Sequence, residues 1–170
     1  MNVRIIGAIL VIAGCGGFGI SVAAGYRREE ESLRQMLRMV KFMQWELKYR
    51  VAPLPELCRQ AAGEGKGQLR DVMLSLAAEL DKQKAPDVYS CMRTALHRAD
   101  GLPRRIRRLF SQLGRSLGRF DLDGQLESLE AVAAACREQL TQLQNSKIKN
   151  LRSYRTLGLC AGAALAILFL

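Results

Sequence analysis

The chain has 170 residues, 49% of them hydrophobic, and a net charge of +10 from 26 Lys and Arg against 16 Asp and Glu. The acids all lie between Glu29 and Glu138, and Arg4 is the one cation outside residues 27–155. Both ends are therefore nearly charge-free, which excludes a plain soluble globule. The plentiful apolar residues exclude a disordered tail, and the missing period-two alternation excludes a porin-like barrel.

Residues 5–26 carry no charge. The run is about 22 residues, or roughly 33 Å as a helix, enough to cross a hydrocarbon core of about 30 Å. A signal peptide is the rival, with Val22-Ala23-Ala24 as a small-residue cleavage site. The run exceeds the usual apolar region of about 7–15 residues, which favours an uncleaved span. Beyond it the chain turns amphipathic. Leu33, Met36/Leu37, Val40, Met43 and Leu47 recur at three-and-four spacing to about Val51. No Pro or Gly follows Gly25 before Pro53, so this helix is expected to continue the span.

Pro53 and Pro55 end it and open a short helix to about Ala62. Gly63-Glu64-Gly65-Lys66-Gly67 reads as a loop. It lacks the spacing of a phosphate-binding loop and the Ser or Thr after its lysine. A helix is predicted from Gln68 to about Lys82, with Leu69, Val72/Met73, Leu76 and Leu80 on one face. Another runs from Asp87, a candidate N-cap, to Ala99. Pro103 suits the start of the next, and Ile106, Leu109/Phe110, Leu113 and Leu117 carry it to about Gly118. From about Asp123 the residues Leu126, Leu129, Ala133, Cys136, Leu140 and Leu143 form a seam of alternating three and four steps. That long helix is expected to run on into the C-terminal apolar segment and to pair with the first. The shorter helices are expected at the far end of this pair.

Residues 156–170 carry no charge. This run is about 15 residues, roughly 22 Å of helix, and short for a span. Arg152 and Arg155 can snorkel, which makes the length adequate. Small residues recur every four positions in both ends: Ala13, Gly17, Ser21 and Gly25, then Gly158, Gly162 and Ala166. Such stripes let helices approach closely in lipid, so a two-helix hairpin is expected. Arg27, Arg28, Lys147, Lys149, Arg152 and Arg155 all flank the spans on the side of the central domain. The positive-inside rule then makes that domain cytoplasmic, with both termini across the membrane. The expected organisation is an N-terminal transmembrane helix (1–26), a cytoplasmic helical domain (27–155) and a C-terminal transmembrane segment (156–170). The fold class is all-α: a membrane-anchored helical bundle with two long helices continuing into the N- and C-terminal transmembrane segments.

Catalytic chemistry is not visible. His97 has no metal-ligand spacing around it, and no Ser or Cys sits in a nucleophile motif. Cys15, Cys58, Cys91, Cys136 and Cys160 are dispersed, as suits small apolar residues in a reducing compartment. No cofactor or metal is expected, and no enzyme activity. The distinctive charge feature is Arg104, Arg105, Arg107, Arg108, Arg115 and Arg119, with no acid between Leu102 and Phe120. The simplest reading is a solvated helix face. The sharper reading is a binding face for an acidic protein or for anionic lipid headgroups. Nucleic acid is not expected, because no stacking aromatics interleave with the arginines.

Several segments, in order, resemble the stage III sporulation protein AB family of endospore-forming bacteria. They are Ile6-Gly7-Ala8-Ile9-Leu10-Val11-Ile12, Trp45-Glu46-Leu47-Lys48-Tyr49, Pro53-Leu54-Pro55-Glu56, Leu113-Gly114-Arg115-Ser116-Leu117-Gly118 with Asp121 and Gln125, and Tyr154-Arg155-Thr156-Leu157-Gly158-Leu159. The resemblance implies a component of a membrane channel complex between mother cell and forespore. It also implies likeness to the F-type platform proteins of type II secretion and type IV pilus systems, whose helical domain sits beside a secretion ATPase. On that footing the chain is a non-enzymatic platform in the cell membrane, on the mother-cell side of the forespore envelope. Its partners would be the membrane, a secretion-type ATPase and other proteins of the complex, with a homo-oligomer left open. The alternative is a membrane-tethered adaptor for acidic partners or anionic lipid, unrelated to secretion.

Overall fold

The computed structural model describes residues 2–50, 52–82, 86–118 and 121–169, and the side chains of those that lie within 24–146. Among them there are six α-helices and no strand: α1 (Asn2–Tyr49), α2 (Leu54–Ala62), α3 (Gln68–Asp81), α4 (Val88–Arg98), α5 (Arg104–Ser116) and α6 (Leu122–Phe169). The helices begin and end where the sequence chemistry requires. Pro53 and Pro103 sit at the N-caps of α2 and α5, where a missing N–H costs nothing. Asp87 accepts a hydrogen bond from the Ser90 backbone N–H at 2.9 Å, and Asp121 one from Gly124 at 3.1 Å. Gly67, Gly101 and Gly118 supply the positive φ of three connections.

α1 and α6 are each one unbroken helix of 48 residues. They run antiparallel, and Gln44 donates to Glu130 across them at 3.0 Å. Their shared seam buries Leu33, Met36, Val40, Met43 and Leu47 from α1 and Leu129, Val132, Ala133, Cys136 and Leu143 from α6. Leu126 and Leu140, expected on the same seam, are half-buried against it. Each Leu, Met or Val so buried contributes roughly 1.5–3 kcal/mol, which is what holds two long polar-faced helices together.

The four shorter helices complete the core with Leu57, Met73, Leu76, Met92, Ile106, Leu109, Phe110 and Leu113. They lie along the part of α1 that follows its apolar segment, from Glu29 to Leu47. The Lys66 backbone N–H donates to Gln35 on α1 at 2.9 Å, and Gly65 packs against Met39. Arg105 reaches Glu29, nearer still to the start of the described side chains. Gly118 packs against Val88 and Leu54 at the opposite end. The reason is the length of the apolar stripe on α1, which runs from Leu33 to Leu47 and has to be covered along its whole extent. The bundle thus has a base near Tyr26 and a tip near Tyr49 and Leu122.

Among the described residues no helix is long and apolar enough to cross a membrane. The side chains of residues 2–23 and 147–169, which make up most of both apolar ends, lie outside the described set.

Candidate functional site: an arginine groove on α5

α5 opens at Pro103 and turns Ile106, Leu109, Phe110 and Leu113 into the core. Its remaining faces carry the arginines, and their surroundings divide them. Arg107 is half-buried and donates to the carbonyls of Leu96 at 3.0 Å and Ala99 at 2.9 Å. These are carbonyls at the C-terminal end of α4, where a cation also meets the negative end of the helix dipole. Arg105 turns toward α1 and lies 3.4 Å from Glu29. Arg115 lies over the Tyr89 ring at 5.0 Å and donates to its hydroxyl at 3.4 Å. Arg104 and Arg108 are exposed and have no carboxylate partner among the described residues. Arg119 lies outside the described residues.

A shallow groove of about 590 Å³ joins Arg104, Arg107, Arg108, Ser111, Gln112 and Arg115. It offers guanidinium forks and two neutral hydrogen-bonding side chains, and no acid. Such a surface takes carboxylates or phosphates in bidentate fashion. Of the six arginines, four are brought to this groove, one is engaged with α1 and one lies outside the described residues.

The other expected residues are placed as follows. Arg27 and Arg28 are exposed at the base and border an open cleft with Gly25, Gln35, Gln68 and Gly101. Gly25 is exposed and has open space where a Cβ would sit. Ala13, Gly17, Ser21, Gly158, Gly162, Ala166, Lys147, Lys149, Arg152 and Arg155 have side chains outside the described set. His97 is exposed, and among the described residues no group of His, Cys, Asp and Glu could hold a metal ion. Cys58, Cys91 and Cys136 are buried free thiols. Burial pushes Cys58 up to about 12 and Cys136 up to about 11, against the weaker opposing pull of Arg59 and Arg137. Thiols so placed pack as small apolar groups.

One feature of the surface lies off every expected face. Trp45 and Tyr49 stand out from α1 near the tip, 52% and 64% exposed. The signal was present in the spacing, since neither falls on the Leu33–Val40–Leu47 stripe.

The sequence profile of stage III sporulation protein AB matches residues 4–170. The chain belongs to the stage III sporulation protein AB family. A solved structure of "Stage III sporulation protein AB (SpoIIIAB)" has the same fold, with a TM-score of 0.61 and 16% sequence identity. The match covers 69% of this chain and 94% of that one. No curated protein matches at a significant level. Membership makes the chain a sporulation protein of a structural family, and the all-helical bundle is that family's fold.

Proposed function

We propose that the chain is a non-enzymatic platform of a sporulation channel complex between mother cell and forespore. The apolar ends, within 5–26 and 156–170, cross the membrane, and residues 27–155 face the mother-cell cytoplasm. There the domain couples a secretion-type ATPase to the channel. Family membership supports the setting. The observation that carries the docking role is the α5 groove, where Arg104 and Arg108 stand exposed with no acidic partner among the described residues. Unpaired cations in a groove steer acidic surfaces and bind them in a fixed register.

Charge reversal at Arg104 and Arg108 is the test, using the full-length chain in detergent and the purified ATPase of the same complex. The double change to Glu is expected to cut ATPase recovery at least tenfold, with helix content unchanged by circular dichroism. Undiminished recovery would reduce the groove to solvated surface. A second reading, an adaptor for anionic lipid, draws on Arg27 and Arg28, both exposed at the base. Retention on anionic vesicles with no ATPase recovered would favour it.

A further inference from the structure

The tip of α1 carries a second surface, chemically unlike the α5 groove. The Trp45 and Tyr49 rings lie one helical turn apart, with centroids at 5.7 Å and planes tilted by 47°. Both are more than half exposed, and the Lys48 ammonium stands 5.6 Å from the centre of the Tyr49 ring. Large aromatics exposed together on one helical face are a costly use of surface and mark contact sites.

Along this stretch of α1 itself the exposed charges have one sign. Lys41 and Lys48 are exposed and form no ion pair among the described residues. Arg50 is exposed, and its carboxylate neighbour at 3.8 Å is Glu46. Glu46 is the one acid between Met39 and Arg50, and it is turned inward at 2% exposure. Across the pair of long helices the hydrogen bonds from Arg137 and Gln44 hold the Glu130 carboxyl low, with a smaller pull from Lys41. Farther down α1 Arg34 is neutralised by Glu30 and Arg38 by Glu31. Past Arg38 the exposed charges of α1 are all basic and the face gains its two aromatics, with Glu130 of α6 beside Lys41.

We propose that the Trp45–Tyr49 ledge docks an acidic amphipathic helix of a partner protein. Apolar residues of the partner at three-and-four spacing would lie on the two rings, as a helix ridge fits a neighbouring groove. Its flanking carboxylates would meet Lys41 and Lys48. A second copy of this chain would bring like charge against like charge and is disfavoured. Single-stranded nucleic acid needs rings open for parallel stacking, whereas these two are tilted against each other. The inference stands apart from the ATPase coupling proposed above, because it uses no residue of the α5 groove.

Trp45 is the chain's single tryptophan, so its emission reports on the ledge directly. The full chain in dodecyl maltoside micelles is titrated with a Leu/Glu amphipathic helical peptide. A saturable blue shift is expected. Lys41→Glu with Lys48→Glu should weaken the affinity about tenfold or more, while Arg at both positions preserves it. Tyr49→Ala, which keeps the reporter, should weaken it as well. Circular dichroism confirms that each variant is folded. The proposal is overturned by an equal shift with a Leu/Lys peptide, or by no shift with the acidic one. A shift produced instead by oligothymidylate, by added phosphatidylglycerol, or by raising the concentration of the chain alone would overturn it too.

Discussion

Arg107 and Arg108 are adjacent in sequence and unlike in role. Arg107 closes the C-terminal end of α4 through two carbonyls, so its charge is spent inside the fold. Removing it leaves those carbonyls short of a donor in a half-buried place. Arg107→Met should therefore lower stability by about 1–3 kcal/mol. Arg108→Met, at an exposed site, should stay within about 0.5 kcal/mol. Urea unfolding of the two variants decides between them, and equal losses would mean that the carbonyl contacts hold little. At the other end of the chemistry, Glu46 is a buried acid with one carboxylate oxygen that finds no hydrogen bond. Among the described residues its one cation partner, Arg50, stands 3.8 Å away. Such a group does little for stability, so its place inside the tip of α1 is weak support for the fold.

At the scale of elements, the contact between α4 and α5 depends on a glycine. A Cβ at Gly114 would come within 2.7 Å of the Met92 Cβ and 2.8 Å of its Cγ. Those atoms lie close to the backbone and cannot swing away, so the two helices would have to part. Gly114→Ala should cost about 1–3 kcal/mol, whereas Gly25→Ala, with open space around it, should gain up to about 1 kcal/mol of helix propensity. Thermal melts that rank the two the other way would contradict this packing. The double Leu-Gly stretch was legible in the sequence as a motif, but its reason was not. Met92 lies 22 positions away, and spacing within α5 says nothing of it. Helix limits were legible because Pro53, Pro103, Asp87 and the Gly63–Gly67 loop are local signals. Buried faces were legible because helical period alone sorts Ile106, Leu109 and Leu113 from their neighbours. The division of the arginines was not. Arg105 is claimed by Glu29 and Arg107 by α4, and only the tertiary fold brings those partners near.

At the scale of the molecule, the two long helices set the frame. If both apolar ends cross the membrane as a hairpin, their small-residue stripes are the contact. Leu at Gly17 and Gly162 should then reduce disulfide cross-linking between cysteines placed in the two ends, in an otherwise cysteine-free chain. Cross-linking that persists at the same yield would remove the hairpin. The bundle is otherwise closed by short connections, and no proline or positive-φ residue interrupts α1 between Gly25 and Tyr49. That continuity has a mechanical meaning. Helices kink at identifiable defects, and this segment has none. A load applied at Trp45 has nowhere along α1 to be absorbed by bending. It acts on a lever of roughly 30 Å from Tyr26, so a tilt of about 5° at the base displaces the tip by roughly 3 Å. The same rigidity works in reverse: a sub-ångström shift where α1 leaves the bundle is magnified, not damped, at the end where the aromatics stand.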